Sequence, residues 1–407
     1  MDKEPLPSTI LWCVVLLMLM PALTETVNAN ITDDLHVRGY VRGMPIRISA
    51  DVGQSSGQDH NGLLQMPAGD QVWWEYRLQN RLNLRWDAGS DLSFYWQMRT
   101  RLFAGDLVRD FPRYASGIDR DEGMVNLSWM VTEQDSWLLH YIPDRLYGEW
   151  DRGNWNVRVG RQRVNWGVNM ITNPNDIFNI YSFYDFDYPE RPGSDAVRIR
   201  RFLGFGSRFE LAVSPGRELQ STVAAALYAF TVRGYDLQLI TGYYKERLTA
   251  GGGWAGNMGG AGFKGETMFY MDLEQNGEKR ETNYIASVSV DYMFTNRVFL
   301  ITELLYNRAG GRDRFPFFGE QISPDNPSFS KYQFTTQGTY PVHELVDGSL
   351  ALIWYPDESS FFLSPSITWS VMQNIDMQLL GQFFIGSDDS AFARAGDLLM
   401  GSLQYNF

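Results

Sequence analysis

Alternation constrains this chain more than any other feature. From Trp74 the even positions read Trp74, Tyr76, Leu78, Leu82, Leu84 and Trp86, broken only by Asn80. The odd positions read Glu75, Arg77, Gln79, Arg81, Asn83 and Arg85. The next segment sets Leu92, Phe94, Trp96, Met98 and Leu102 against Asp91, Ser93, Gln97, Arg99 and Arg101. A period of two is the strand period, because successive side chains of a strand point to opposite faces. It returns at Tyr284–Tyr292, Val298–Tyr306, Leu363–Val371 and Met377–Ile385. These runs are longer than the usual sandwich strand of about 5–6 residues. They match the roughly 9–11 residues a tilted strand needs to cross a bilayer. Aromatic residues stand at their ends, as at Trp74 and Trp86, which suits membrane-interface girdles. The expected fold is all-β: a transmembrane antiparallel β-barrel of about 16–18 strands with long external loops.

Composition narrows the function classes. The 407 residues carry 35 Lys plus Arg and 48 Asp plus Glu, a net charge of −13, and 14% are aromatic. An acidic balance without basic clusters argues against nucleic acid as a partner. Mean hydropathy is −0.29, too low for a bundle of membrane helices. The single cysteine, Cys13, lies in an apolar run from Ile10 to Leu23 that precedes Val27-Asn28-Ala29, a small-residue cleavage pattern. Residues 1–29 therefore read as a signal peptide and 30–407 as one barrel domain free of cysteine.

Connections sort into two lengths. Short ones include Asp87-Ala88-Gly89, Asp151-Arg152-Gly153 and Arg233-Gly234, whereas 49–71, 104–135, 165–194 and 308–330 are long. A count of eighteen strands, with segments at 254–263, 266–273 and 330–339 among them, puts every long loop at one end of the barrel. Residues 122–131 are an alternative further strand. The glycine-dense stretch from Gly251 to Gly262 lacks the Lys and Ser/Thr of a phosphate loop and reads as strand kinks or a loop.

On the inward faces of such a barrel fall Arg77, Arg81, Arg85, Arg99, Arg101, Arg158, Arg198 and Arg200. Rings of Arg in a wet pore favour anions; the same residues paired with acids would merely hold a wide barrel in shape. The connection 165–194 is too long for a turn, and Pro174, Pro189 and Pro192 restrict it. Folded inward it would narrow the pore, with Asn173, Asp176, Asp185, Asp187 and Asp195 as its polar groups. Its acidic residues match no calcium-loop spacing, so no metal and no cofactor is expected. The four histidines, His36, His60, His140 and His343, stand in no nucleophile motif. Catalysis is not expected, and His140 is the one position where it would be tested.

The last strand alternates Leu399, Leu403 and Tyr405 with Ser402, Gln404 and Asn406, and it ends on Phe407. This resembles the C-terminal signal of bacterial outer-membrane barrels, which implies recognition of Phe407 by the barrel-assembly machinery. Residues 157–200 hold Gly160-Arg161-Gln162, Trp166-Gly167, Asn173-Pro174-Asn175-Asp176 and Arg191-Pro192-Gly193-Ser194-Asp195. Here the chain resembles alginate-export-type outer-membrane porins. The resemblance implies a single-chain channel in the outer membrane of a Gram-negative bacterium, in contact with membrane lipid and passing a small polar solute, anionic if the Arg face dominates. The alternatives are a non-conducting structural or secretion-associated barrel and, further off, a barrel hydrolase.

Overall fold

A computed structural model describes residues 34–52, 69–111, 114–121, 123–179, 184, 193–273, 282–310, 322–387, 390, 392 and 395–407. The strands are β1 (Leu35–Val52), β2 (Gly69–Asp87), β3 (Leu92–Gly105), β4 (Trp129–Gln134), β5 (Trp137–Arg152), β6 (Trp155–Gln162), β7 (Ser194–Gly204), β8 (Ser207–Ser214), β9 (Val223–Val232) and β10 (Tyr235–Tyr244). They continue as β11 (Arg247–Met258), β12 (Ala261–Asp272), β13 (Asn283–Met293), β14 (Phe299–Asn307), β15 (Tyr332–His343), β16 (Val346–Tyr355), β17 (Ser360–Met372), β18 (Ile375–Ile385) and β19 (Asp397–Asn406).

Each strand pairs antiparallel with its neighbour, β3 pairs directly with β5, and β1 pairs with β19 to close an 18-strand barrel. Closure removes the sheet edge, so every backbone group of the wall finds a partner. The remaining strand, β4, belongs to the long β3–β5 connection and pairs with the loop end of β5, Trp129 opposite Tyr141. It corresponds to the alternative strand at 122–131, displaced toward the C-terminus.

The alternation sorts as the hydropathy demands. Trp74, Tyr76, Trp86, Phe94 and Trp96 are exposed on the outer face, while Glu75, Gln79, Arg81 and Arg99 are buried inside. All connections at the end holding both termini are short, and all the long ones lie at the other end.

Two expected strands were misplaced. The segments 254–263 and 266–273 are instead β11 and β12, joined by a turn at Gly259 and Gly260, both at positive φ. The run Gly251-Gly252-Gly253 is therefore mid-strand. At Gly253 part of the reason is inside the barrel: beyond the neighbouring strand's Gly265 O at 2.9 Å, a Cβ would meet the Asn175 amide at 3.0 Å and Val168 at 3.3 Å. The glycine lets a second layer of chain lie on the wall.

The seam is closed by the last residue. Phe407 N–H donates to Gly39 O at 3.0 Å and Gly39 N–H donates to Phe407 O at 2.9 Å. Deleting Phe407 removes two ladder bonds from the one junction that joins the chain's ends. The deletion variant is expected to give less heat-modifiable, folded barrel in membranes than the full chain; equal yields would show that the terminal residue is dispensable for closure.

Candidate functional site

The inner wall has two unlike halves. From β2 to β8 it is lined by arginines. Arg77 pairs with Glu75, which also accepts from Tyr114 Oη at 2.5 Å. Arg81 Nη1 lies 2.5 Å from Asp144 Oδ2, and Arg99 Nε lies 3.8 Å from the same oxygen. Arg158 meets Glu149 at 2.6 Å, and Glu210 receives Arg200 at 2.7 Å with Arg198 at 3.8 Å. Arg85 meets Asp87 at 2.9 Å near the short-turn end. Arg77 and Arg101 flank the Phe103 ring, 5.2 and 5.1 Å from its centroid, which fixes both guanidinium groups.

All eight expected arginines thus stand on the inside, yet they are not equivalent. Side-chain exposure is 1% for Arg81, 6% for Arg99 and 5% for Arg198, against 26% for Arg158, 24% for Arg200 and 49% for Arg85. The first group is sealed in ion pairs of the wall, and the second group meets the lumen. Arg198 and Arg200 share one carboxylate, Glu210 of β8.

From β8 to β14 the wall is covered. The segment after β6 leaves it at Val164 and returns at Asn179, whose Oδ1 accepts the Val164 N–H at 3.2 Å. Between these adjacent ends the chain lies on the inner wall. Trp166 Nε1–H donates to Glu210 at 2.7 Å, and Gln238 donates to Trp166 O at 2.6 Å. Glu266 accepts three backbone N–H groups, from Val168, Asn169 and Asn175, at 2.5, 2.7 and 2.8 Å. Glu303 accepts the Thr172 N–H at 3.0 Å. An irregular segment has no ladder for its N–H groups, and buried donors must be satisfied. Carboxyl groups of the wall supply the acceptors here; leaving one such buried N–H unsatisfied would cost roughly 1–3 kcal/mol. Beneath the segment the inner wall is apolar and small, with Ala212, Ala225, Leu227, Ala229 and Ile240 packed around Trp166 and Ile177.

The segment has a second reach. Asn179 Nδ2 donates to Ser194 Oγ at 2.8 Å, at the start of β7. Five positions later in sequence, Tyr184 is buried on β16–β18: its hydroxyl is 2.6 Å from that of Tyr355, and its carbonyl accepts from Gln382 at 3.1 Å. Phe329, Phe362, Phe384 and Phe392 surround the ring. In the closed ring β7 and β16–β18 stand on opposite walls. Asn179 and Tyr184 therefore anchor the same connection on both sides of the lumen.

The residues that carried the resemblance are the seat of this connection. A Cβ on Gly167 would overlap the Asn173 side chain, so the Trp-Gly step and the Asn-Pro loop interlock. Gln162 donates to Ala196 O at 2.9 Å. Arg161, absent from the expected site residues, grips Asp195 at 2.8 Å, Asp121 at 2.6 Å and Val125 O at 2.7 Å. It clasps the β3–β5 connection to the return strand. Of the expected loop residues, Asn173 lies over Gly167, Asp176 is buried, Asp195 belongs to β7, and Asp185 and Asp187 lie outside the described residues. Among the described residues no group of three acidic, His or Cys side chains is placed to hold a metal.

The Arg161 clasp has a pH signature. Burial alone would raise the Asp121 carboxyl, but the hydrogen bonds from Arg161 and from the N–H groups of Leu127 and Gly123 outweigh it and hold the group below the usual carboxylate range. A depressed folded value stabilises above the unfolded value of about 3.9 and is lost as pH falls through the folded one. Hydrogen exchange at the Leu127 and Gly123 amides is expected to stay slow at neutral pH and to speed up only below about pH 4, beyond the intrinsic change. In Arg161→Gln the release should come at higher pH.

His140 sits in a buried cluster that superficially suggests a nucleophile. Its Nδ1 is 3.1 Å from Arg101 Nη2, and arginine only donates, so Nδ1 accepts and Nε2 carries the proton. Nε2–H then donates to Ser128 Oγ at 2.7 Å, and Ser128 donates to Asp119 at 2.5 Å. A nucleophilic serine needs the opposite polarity, with its proton passing to the imidazole. This relay ties the one-turn helix Tyr114–Ile118 and the β4 approach to the wall.

No protein-family model matches the chain, and no curated protein matches it in sequence. Solved structures do match in shape. OccK7 (OpdD) of Pseudomonas aeruginosa superposes with a TM-score of 0.55 at 9% identity, over 91% of this chain and 99% of that one. OccAB4 of Acinetobacter baumannii gives 0.54 at 8% identity over 93% and 100%. The outer membrane protein opdK of Pseudomonas aeruginosa gives 0.52 at 6% over 91% and 98%. The chain has the fold of these outer-membrane barrels. The likeness spans nearly the whole of each chain and is one of architecture.

Proposed function

We propose that the chain is an outer-membrane channel of a Gram-negative bacterium that passes a small polar, anionic solute passively through an Arg-walled lumen. The observation that carries this is the anchoring of one connection, at Asn179 and Tyr184, on opposite inner walls of a closed barrel. That arrangement narrows the path without altering the wall. Glu266 and Glu303 are sealed beneath the connection, so two carboxyl groups are withdrawn from one half of the path, while Arg85, Arg158 and Arg200 stay in contact with water on the other. Arg presents a planar fork suited to carboxylates. Narrowing is thus the work of backbone and aromatic anchors, with Asn173, Asp176 and Asp195 as positioning residues.

The likeness to alginate-export-type porins is the finer reading. It is supported by the role of Gly160, Arg161, Gln162, Trp166, Gly167, Asn173 and Asp195 as one interlocked seat. Residues 1–29 act as a cleaved signal peptide, and the barrel-assembly machinery reads the strand ending at Phe407. Solute flux tests the reading. Liposomes carrying the full chain should swell faster in an isotonic small carboxylate than in a cationic solute of equal size, and a rate equal to protein-free liposomes would end it.

A further inference from the structure

The outer wall carries a recess that the channel does not use. A groove of about 890 Å³ crosses β15–β19 and β1 on the face turned away from the lumen. Its floor includes Pro45, Gly338, Pro365, Gly381 and Gly401. The exposed side chains of Leu350, Ile367, Leu379 and Leu399 form its sides. The chain's own packing does not demand glycine at Gly401: a Cβ there would touch Leu379 and Pro45 at 3.7 Å, an ordinary contact. At Gly338 the nearest atom to a Cβ would be 3.9 Å away. Small residues here leave an apolar space open to the membrane.

Arg47 closes one end of the groove. It stands opposite Trp74 and Leu399 in the strand register, both exposed on the outer face, and alternates with the buried, inward Ile46. Its guanidinium Nη1 donates to Ser49 Oγ at 3.3 Å, and among the described residues no ion pair joins it to a carboxylate. A cation on the lipid face is costly at mid-depth and less so toward the interface. A phosphate would offset that cost directly, because Arg binds phosphate in bidentate fashion. Trp74 beside it belongs to the aromatic girdle nearest the long loops, the level at which headgroups lie.

We infer that this groove holds one phosphorylated glycolipid of the outer leaflet, an acyl chain along Pro45–Gly401–Gly381–Pro365 and a phosphate on Arg47. The inference rests on the outer-membrane reading, which places the long loops outside. Native mass spectrometry of the detergent-purified full chain, titrated with bis-phosphorylated lipid A or with phosphatidylethanolamine, tests it. One lipid A should be retained in preference to the zwitterionic lipid. Arg47→Gln and Gly401→Leu should each weaken retention at least tenfold, and Arg47→Lys should keep most of it. Heat-modifiable migration reports whether each variant is folded; if Gly401→Leu fails to fold, Arg47→Gln carries the test alone. Equal retention by the folded variants and the unaltered chain overturns the proposal. So does a second copy of the chain, displaced by Gly401→Leu, as the occupant. Liposome swelling by the same preparation separates the two readings: a conducting barrel without the lipid refutes this inference only.

Discussion

Removing residues 180–192 and joining Asn179 to Gly193 through a short glycine linker will raise single-channel conductance several-fold. The join is geometrically cheap. Asn179 already donates to Ser194 at 2.8 Å, and Ser194 Oγ donates to Phe178 O at 3.0 Å, so the two ends are neighbours before the cut. The deletion takes away Tyr184 and with it the anchor on β16–β18. It leaves the 165–178 layer, with its bonds to Glu266 and Glu303, on the wall. No ladder bond of the barrel is touched, so folded yield and heat-modifiable migration should stay at the level of the full chain. Tyr184→Ala should act in the same direction and more weakly, because the aromatic pocket of Phe329, Phe362, Phe384 and Phe392 is vacated while the chain remains. Unchanged conductance in the deletion would mean that this connection does not set the width of the path.

Arg158→Gln with Arg200→Gln will move ion preference strongly toward cations. Both guanidinium groups are about a quarter exposed to the lumen, and each is paired with a glutamate, Glu149 and Glu210. The substitutions remove two positive charges from the path, and Glu210 stays buried against Arg198 and Arg208, so the effects come from the lost cations alone. They should fade as salt rises, since the screening length falls from about 10 Å at 0.1 M to about 3 Å at 1 M. Arg81→Gln is the instructive contrast. Arg81 is buried against Asp144 and makes further bonds to Asn83 and Gln97. Losing one partner of a buried pair costs about 3–5 kcal/mol. That variant should lose folded protein while the survivors keep their ion preference. The same shift in preference from Arg81→Gln as from the exposed pair would show that wall burial does not sort these residues.

The wall was legible because lipid imposes a simple rule. Trp74, Leu78, Leu82 and Leu84 cannot share a face with Arg77, Arg81 and Arg85, and the β2–β3 register keeps the two sets apart, with Phe103 opposite Arg77 and Asn80 opposite Thr100 as the departures from the polar-in, apolar-out rule. Legibility failed where the inner face ceases to be wet. Strand β9 reads Val-Ala-Ala-Ala-Leu-Tyr-Ala-Phe-Thr-Val, with no polar face at all. Ala225, Leu227 and Ala229 point inward and are apolar because the 165–178 segment covers them. That loss of alternation was the available signal for an inward layer. The misplaced β11 has a related origin, since Gly253 occupies an inward position under Val168 and Asn175, and inward Gly251 lies against Met268. The partners of Arg161 were out of reach for a different reason. Asp121 and Asp195 are far from it in sequence; the β6–β7 register brings Asp195 opposite it, and the β3–β5 connection brings Asp121. The Arg face was readable as a set, but its division into sealed and wet members depends on Asp144, Glu149 and Glu210, whose positions follow from strand register.

Reversal potential across a planar bilayer, measured with the unaltered chain in a tenfold gradient of a simple salt, tests the central claim most directly. Well-resolved open steps with a potential of the sign set by anions, larger at low salt than at high, are the predicted result. A silent membrane, or a potential of the opposite sign, would contradict an anion path along the Arg wall.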